Sequence, residues 1–543
     1  MQKGDLAKAR AGFARAVKLN PGNAEAQNAL AQVMLQQGET QAAIQHFRVV
    51  TNLKPDLAIA HAYLAQALYA KGDFNEAVVE LRIAVRLAPK QAEAHSALAR
   101  ALSVLHDTDA AVAEMNEAVS LAPSRPEFHD QLGVLLAQRQ QFAQAEEEFR
   151  SALKLDPQYQ PAELHLGAAF SSRGDYQGAK GALRQAIKLN PKDALAHYYL
   201  GVALEATGDR QEALDEYQRA VAQDPRMVPA QRHLGMLLQR SGDPEAAAIA
   251  FALVVKQTPN DPDAHNNLGL ALMQQGEGDA AIQEFQKALK LTPEDTGIQG
   301  NLGVTYLQQS NFDEAEKVLR AALKLTPKAA NLHYDLALAL KLKDDLAGAT
   351  SELQEAIRLD PNLADAYYTY GVTLWQQGKF PAAAEQLRAA VRVRPDYAEA
   401  YYTLGTVYKQ MDKLPEAGQS LRDAIRLQPD FAGAHTTLAA VLRQLGDTAG
   451  AAAESRAGLE LSKQKTSLQA ASFATNSGRR LLQAGDLEGA ISQFRSALHA
   501  LPNYAPAHYQ LGLALQREGK KEEAFQEFQK AEQLDPRLKA PPS

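Results

Sequence analysis

Residues 262–295 read PDAHNNLGLALMQQGEGDAAIQEFQKALKLTPED. Apolar and small residues recur here at helical spacing, in one stripe that contains Leu268 and in a second that contains Phe285. Gly276 lies between the two stripes, where it can end a helix in the left-handed conformation. Pro293 follows the second stripe and stops a helix. The stretch therefore predicts two amphipathic helices joined by a tight turn.

Prolines repeat this pattern along the chain at a constant spacing of 34 residues. The first series is Pro21, Pro55, Pro89, Pro123, Pro157, Pro191, Pro225, Pro259, Pro293, Pro327, Pro361, Pro395 and Pro429. After a gap of 73 residues the spacing resumes with Pro502 and Pro536. The gap is two periods plus five residues, so the sequence is a periodic array with one insertion.

Other columns align when this proline is numbered position 32 of each repeat. Position 20 is alanine throughout, position 8 is glycine or alanine, and position 15 is usually glycine. Small residues at positions 8 and 20 predict that the two helices of a repeat approach closely. With an aromatic residue or leucine at position 24 and alanine at position 27, the pattern resembles the tetratricopeptide repeat (TPR) family, in long arrays of the bacterial type.

The resemblance covers essentially the whole chain, in about fifteen repeats. It implies an all-α fold, a right-handed superhelical solenoid of helix-turn-helix repeats whose first helices line a concave groove. The predicted segments are a partial repeat with a second helix only (1–23), a main array (24–461), an insertion and hinge (462–470), a C-terminal pair of repeats (471–538) and a tail (539–543). Repeats of the main array start at 24, 58, 92, 126, 160, 194, 228, 262, 296, 330, 364, 398 and 432.

Composition excludes several function classes. Interleaved charges, 57 Lys and Arg against 64 Asp and Glu, argue against nucleic acid as a partner. No apolar run is long enough for membrane insertion or for a signal peptide, and the compartment stays open. The sequence has no cysteine and no phosphate-loop or His-Glu-x-x-His motif. We therefore predict no enzyme activity, no cofactor and no metal site.

Eight of the thirteen histidines share position 4 of a repeat. They are His61, His95, His129, His197, His265, His333, His435 and His508. A residue that occurs once per repeat lies about 10 Å from its next copy, too far for two copies to bind one metal ion. We predict that these histidines are packing residues.

The predicted peptide-binding groove lies on the first helices of the repeats from 330 to 443, at positions 5 and 12. Three tyrosines in consecutive repeats are expected to stack, and the only tryptophan follows with three cations. The residues are Tyr334, Lys341, Tyr368, Trp375, Tyr402, Lys409 and Arg443. Asn331, Asp365 and Glu399, at position 2, form an acidic margin. Aromatic and basic side chains together favour an extended peptide with acidic residues, although tyrosine at position 5 can equally support the fold.

The leading functional prediction is a scaffold or adaptor that binds peptide or protein segments in the groove. One alternative is the recognition arm of a larger enzyme, such as an O-linked glycosyltransferase, although the asparagine that such arms carry at position 6 is present only in Asn267, Asn301 and Asn476. The other is a self-associating subunit of a filament or oligomer, because solenoid ends without polar caps are adhesive. Met1 falls at position 12, so we expect an incomplete first repeat.

Overall fold

The computed structural model describes residues 3–539 and 541, which form two compact units that divide between Leu291 and Thr292. We call them the N-terminal unit and the C-terminal unit. Within the described residues every regular element is an α-helix, and within each unit consecutive helices pack against each other as antiparallel hairpins. The predicted all-α solenoid of helix-turn-helix repeats is confirmed. No helix in this part of the chain is long and apolar enough to cross a membrane.

The helices of the N-terminal unit are α1 (Lys3–Leu19), α2 (Ala24–Gln36), α3 (Thr40–Leu53), α4 (Ala58–Lys71), α5 (Phe74–Leu87), α6 (Ala92–Val104), α7 (Thr108–Leu121), α8 (Pro126–Gln138), α9 (Phe142–Leu155), α10 (Gln160–Arg173), α11 (Tyr176–Leu189), α12 (Ala194–Thr207), α13 (Arg210–Gln223), α14 (Val228–Arg240), α15 (Pro244–Gln257), α16 (Pro262–Gln275) and α17 (Gly278–Leu291).

The helices of the C-terminal unit are α18 (Thr296–Gln308), α19 (Phe312–Leu325), α20 (Ala330–Leu342), α21 (Leu346–Leu359), α22 (Ala364–Gln376), α23 (Phe380–Val393), α24 (Ala398–Gln410), α25 (Leu414–Leu427), α26 (Ala432–Gln444), α27 (Thr448–Gln483), α28 (Leu487–Ala500), α29 (Ala505–Glu518) and α30 (Lys521–Leu534).

Small residues allow the two helices of a hairpin to touch. A Cβ atom added to Gly269 would lie 2.7 Å from the ring of Phe285, closer than real Cβ contacts come. Ala281, at position 20, is completely buried on the facing helix, as is Phe285. The columns at positions 8, 20 and 24 therefore form an interlocking core contact, which recurs between Gly133 and Phe149 and between Gly512 and Phe528.

The turn between the helices keeps its left-handed conformation even where position 15 is not glycine. Gly276 has φ of 83°, and Asp344, at the same position of another repeat, has φ of 64°. His106, Gln140, Ser310 and Asp412 share this conformation. Packing of the two helices therefore fixes the turn, and glycine only makes it less costly.

The position-4 histidines are packed into the fold, as predicted, but they also form a polar connection that the sequence analysis missed. In each case Nδ1 lies 2.5–2.7 Å from a glutamate Oε2 on the second helix of the same hairpin. Nε2 lies 2.8–3.1 Å from the carbonyl oxygen of the position-32 proline that precedes the hairpin. We call this arrangement the histidine bridge.

The glutamates of the histidine bridges all stand at position 23, nineteen residues after the histidine. The pairs are His61–Glu80, His95–Glu114, His129–Glu148, His197–Glu216, His265–Glu284, His333–Glu352, His435–Glu454 and His508–Glu527. An acceptor faces each ring nitrogen, so the doubly protonated ring, which donates from both, satisfies the whole bridge. Each bridge joins both helices of a hairpin to the end of the preceding helix.

The segment 462–470, predicted as an insertion and hinge, is helical. It lies inside α27, a helix of 36 residues that serves as the second helix of one repeat and the first helix of the next. Most of its side chains are exposed, and Leu459 and Phe473 on either side are 72% and 77% exposed. Fast hydrogen exchange in this weakly packed stretch remains a prediction.

Candidate binding groove

The candidate groove residues at position 12 form a row on α20, α22, α24 and α26, which we call the basic row: Lys341, Trp375, Lys409 and Arg443. Trp375 is half-buried, and its Nε1–H donates to Gln410 Oε1 on the next first helix at 2.5 Å. Among the described residues, none of the three cations is in an ion pair with a carboxylate. Partial burial lowers the pKa of Lys341. The basic row therefore combines three cations that lack carboxylate partners with one half-buried indole ring.

The three tyrosines at position 5 lie one per hairpin, but they do not form the expected stack. Tyr368 contacts the ring of Tyr397, with centroids 5.0 Å apart, and Tyr402 contacts Phe431 at 4.8 Å. Tyr334 and Leu363 both pack against one buried cluster.

The rings of Tyr368 and Tyr402 pack on the residue that closes their own hairpin, at position 34, and Tyr334 lies against the same buried cluster as its position-34 residue. All three side chains are half-buried. The tyrosines therefore support the hairpins and leave only part of each ring to a ligand.

The predicted acidic margin is only partly available. Asp365 accepts two hydrogen bonds from Arg394, at 2.7 and 3.1 Å, and a third from the Tyr397 hydroxyl at 2.9 Å. Arg394 lowers the pKa of Asp365, and its guanidinium also lies 4.6 Å from the centre of the Tyr397 ring. The charge of Asp365 is used within the fold, whereas Asn331 and Glu399 are exposed.

Sequence reasoning missed a cavity of about 540 Å³ against α18 and α20. Asp335 is the only carboxylic acid in its lining, and burial raises the pKa of this carboxyl to about 6. Within the described residues no cation pairs with Asp335. We call this space the Asp335 cavity. An aspartate at position 6 was the available signal, but its burial cannot be deduced from the repeat pattern.

Potential metal ligands do not converge in the described part of the chain: no group of three His, Asp or Glu side chains could hold an ion there. The histidine bridges contain one histidine and one glutamate each and are closed by a backbone carbonyl. What the groove offers chemically is charge, aromatic surface and amide hydrogen bonds, which suit binding.

Comparison with known families gives matches along most of the chain. A family described as the Cilia and flagella-associated protein 70 C-terminal domain matches residues 1–234. Families described as Tetratricopeptide repeat match residues 233–296, 272–343, 398–431 and 475–538, and one described as TPR repeat matches residues 373–412. No curated protein matches the chain.

Solved structures give partial matches over long stretches. Yeast Tom70 is 19% identical, with a TM-score of 0.38, over 78% of this chain and 96% of its own. The APC/C hetero-tetramer Cut9–Hcn1 is 17% identical, with a TM-score of 0.33, over 91% and 96%. YrrB, described as a TPR protein with an unusual peptide-binding site, is 26% identical, with a TM-score of 0.29, over 34% and 96%.

Proposed function

This chain belongs to the tetratricopeptide repeat family, and on that premise we propose that it is a scaffold that binds polypeptide segments along the first helices α20 to α26. The observation that carries the proposal is the basic row. Lys341, Lys409 and Arg443 lack carboxylate partners in the described structure although the chain as a whole has seven more acidic than basic residues. Uncompensated charge beside half-buried aromatic surface is typical of a binding site.

The basic row favours a ligand with acidic residues next to aliphatic or aromatic ones. Carboxylates of the ligand would pair with the lysines and the arginine, and apolar side chains would cover the exposed part of the indole ring of Trp375. The carboxyl of Asp335, on the same helix as Lys341, repels an acidic ligand. We therefore place the acidic residues of the ligand along position 12 and away from positions 5 and 6.

Trp375 provides a direct test, because it is the only tryptophan in the protein and its fluorescence reports on the basic row alone. The full-length chain is titrated with a synthetic peptide of glutamate and leucine, which contributes no indole signal. We expect a shift of the emission maximum that saturates with peptide and weakens as salt is added.

The variant Lys409→Glu reverses one charge of the basic row and should abolish that shift. Arg388→Glu on α23 is the matched control, since Arg388 is exposed on a second helix and has no ion-pair partner in the described structure. The same titration curve in both variants would show that the basic row does not bind the peptide. The double variant Trp375→Ala with Lys409→Glu, in a capture experiment, extends the test to cellular protein partners.

A further inference from the structure

Two neighbouring cavities of the N-terminal unit lie on first helices, against α4, α6 and α8, with His165 of α10 also in the wall. Their volumes are about 360 and 300 Å³, and both are lined by Tyr69 and Arg100. We call them the Arg100 cavities. The guanidinium carbon of Arg100 lies 5.5 Å from the centre of the Tyr69 ring, so these two residues form the wall that the cavities share.

The charged side chains in the lining of the Arg100 cavities have hydrogen-bond partners, with one exception. Glu93 accepts a hydrogen bond from Arg125 at 3.3 Å, and Asp130 accepts one from His165 Nδ1 at 2.7 Å. Arg100 is exposed and has neither an ion pair nor a hydrogen bond in the part of the chain that the structure describes. One cation without a hydrogen-bond partner therefore lies between the two cavities.

Both Arg100 cavities also offer apolar surface. The first is lined by Ile59, which is 43% exposed, and by the ring of Tyr63, which stacks on Phe47 at 6.0 Å. The second is lined by Val104 and Val134. Apolar side chains entering from solvent would be buried on either side of the cation.

We propose that the Arg100 cavities bind an extended polypeptide segment in which an acidic side chain pairs with Arg100 and apolar side chains on both sides of it enter the two cavities. Charge complementarity selects this occupant, because the only charged side chain of the lining without a hydrogen-bond partner is positive and can form a bidentate hydrogen bond with a carboxylate. The site lies in a different compact unit from the basic row, so it is a second binding site and does not depend on the proposed function.

The test uses the full-length chain with Lys409→Glu, so that the basic row is disabled, and a fluorescein-labelled peptide in which one glutamate is flanked by leucines. Anisotropy should give saturable binding. Arg100→Gln should weaken it about ten-fold, the loss expected of one charge-assisted hydrogen bond. The matched control is Arg82→Gln, since Arg82 is exposed on the second helix α5 and has no partner in the described structure.

A peptide with glutamine in place of the glutamate completes a double-mutant cycle. If the carboxylate pairs with Arg100, the glutamine peptide should bind the parent and the Arg100→Gln variant equally weakly. Ala62→Leu, which fills part of the first cavity without changing charge, should also weaken binding. Equal affinities of the Arg100→Gln and Arg82→Gln variants for the glutamate peptide would overturn the proposal, as would additive losses in the cycle.

Discussion

Two consecutive hairpins of the N-terminal unit, residues 160–189 and 194–223, differ in the residue at position 4 and in whether it has a partner. In the second hairpin His197 is buried and bridges Glu216 and the Pro191 carbonyl. In the first hairpin position 4 is Glu163, which is half-buried and has no partner in the described structure. Position 23, which is Glu216 in the second hairpin, is Ala182 in the first. The comparison teaches that the apolar columns alone suffice for the hairpin, and that the histidine bridge is an addition to it.

The pKa shifts of the two hairpins follow from this difference. The hydrogen bond with Glu216 raises the pKa of His197, against the opposing effect of burial. Burial alone raises the pKa of Glu163, because no cation offsets the cost of its charge. The protein therefore holds a matched charge in one hairpin and an unmatched charge in its neighbour.

The largest effect is expected from breaking the matched pair. Glu216→Ala should destabilise the hairpin at 194–223 by about 3 kcal/mol, since it leaves the buried imidazolium without its carboxylate. Hydrogen exchange of peptides from α12 and α13 measures the loss locally. Asp215→Ala, at an exposed position of the same helix, is the control. Equal protection in the two variants would mean that the bridge does not stabilise the hairpin.

A smaller loss should result from replacing both partners. In the repeat from 228, Gln231 donates from Nε2 to the Pro225 carbonyl at 2.7 Å and accepts from Gln257 at 2.8 Å, and Ala250 stands at position 23.

The double variant His197→Gln with Glu216→Ala recreates this arrangement, because Gln223 already stands at the position equivalent to Gln257. We expect a net loss of about 1 kcal/mol, the value of one neutral hydrogen bond. If hydrogen exchange is as slow in Glu216→Ala as in the double variant, the unpaired charge of His197 is not the cause of the lost stability.

The pH dependence should separate the two hairpins further. The folded-state pKa of His197 is raised, so its contribution to stability is complete below about pH 6.5 and is lost as pH rises through the folded-state pKa. Glu216→Gln should remove this dependence. Protection against hydrogen exchange is measured in parent and variant and corrected for the intrinsic exchange rate. We expect the two proteins to differ more at pH 6 than at pH 9. A difference that is constant with pH would contradict an ionic bridge.

The smallest effect, and the only gain, is expected from removing the unmatched charge. Because burial raises the folded-state pKa of Glu163, its contribution is favourable at low pH and is lost as pH rises through that pKa. Glu163→Gln should therefore stabilise the hairpin at 160–189 at pH 7, by less than about 1 kcal/mol, and have little effect at pH 4. Local hydrogen exchange at the two pH values checks this, and a loss of stability at pH 7 would contradict it.

The helical hairpins could be predicted from the sequence because their determinants are local and repeated. Glycine or alanine at position 8, alanine at position 20 and proline at position 32 each act within one hairpin, so the regular spacing was enough. The left-handed conformation of Asp344 was not predicted, because the packed helices impose it without glycine. The continuous helix α27 was also missed, although no proline occurs between Thr448 and Gln483.

Polar partners were harder to predict than the fold. The sequence did contain the signal for the histidine bridge, since glutamate occupies position 23 in the same eight repeats that have histidine at position 4. Position 4 was interpreted by its place in the apolar stripe alone. For the groove, residue type indicated which side chains reach the surface, but Asp365 is paired and Arg100 is not, and such differences depend on neighbours that only the folded chain defines.

The short span of the histidine bridge has an evolutionary consequence. Histidine and glutamate lie nineteen residues apart within one hairpin, and the third participant is a proline carbonyl that the preceding repeat supplies at a fixed place. Duplication or deletion of a 34-residue segment therefore transmits the bridge intact when its ends lie outside the span from the histidine to the glutamate. The bond from Trp375 to Gln410, by contrast, spans 35 residues and two repeats. Recombination between repeats can thus lengthen the array without loss of its internal bonds, while every new junction creates a different binding surface.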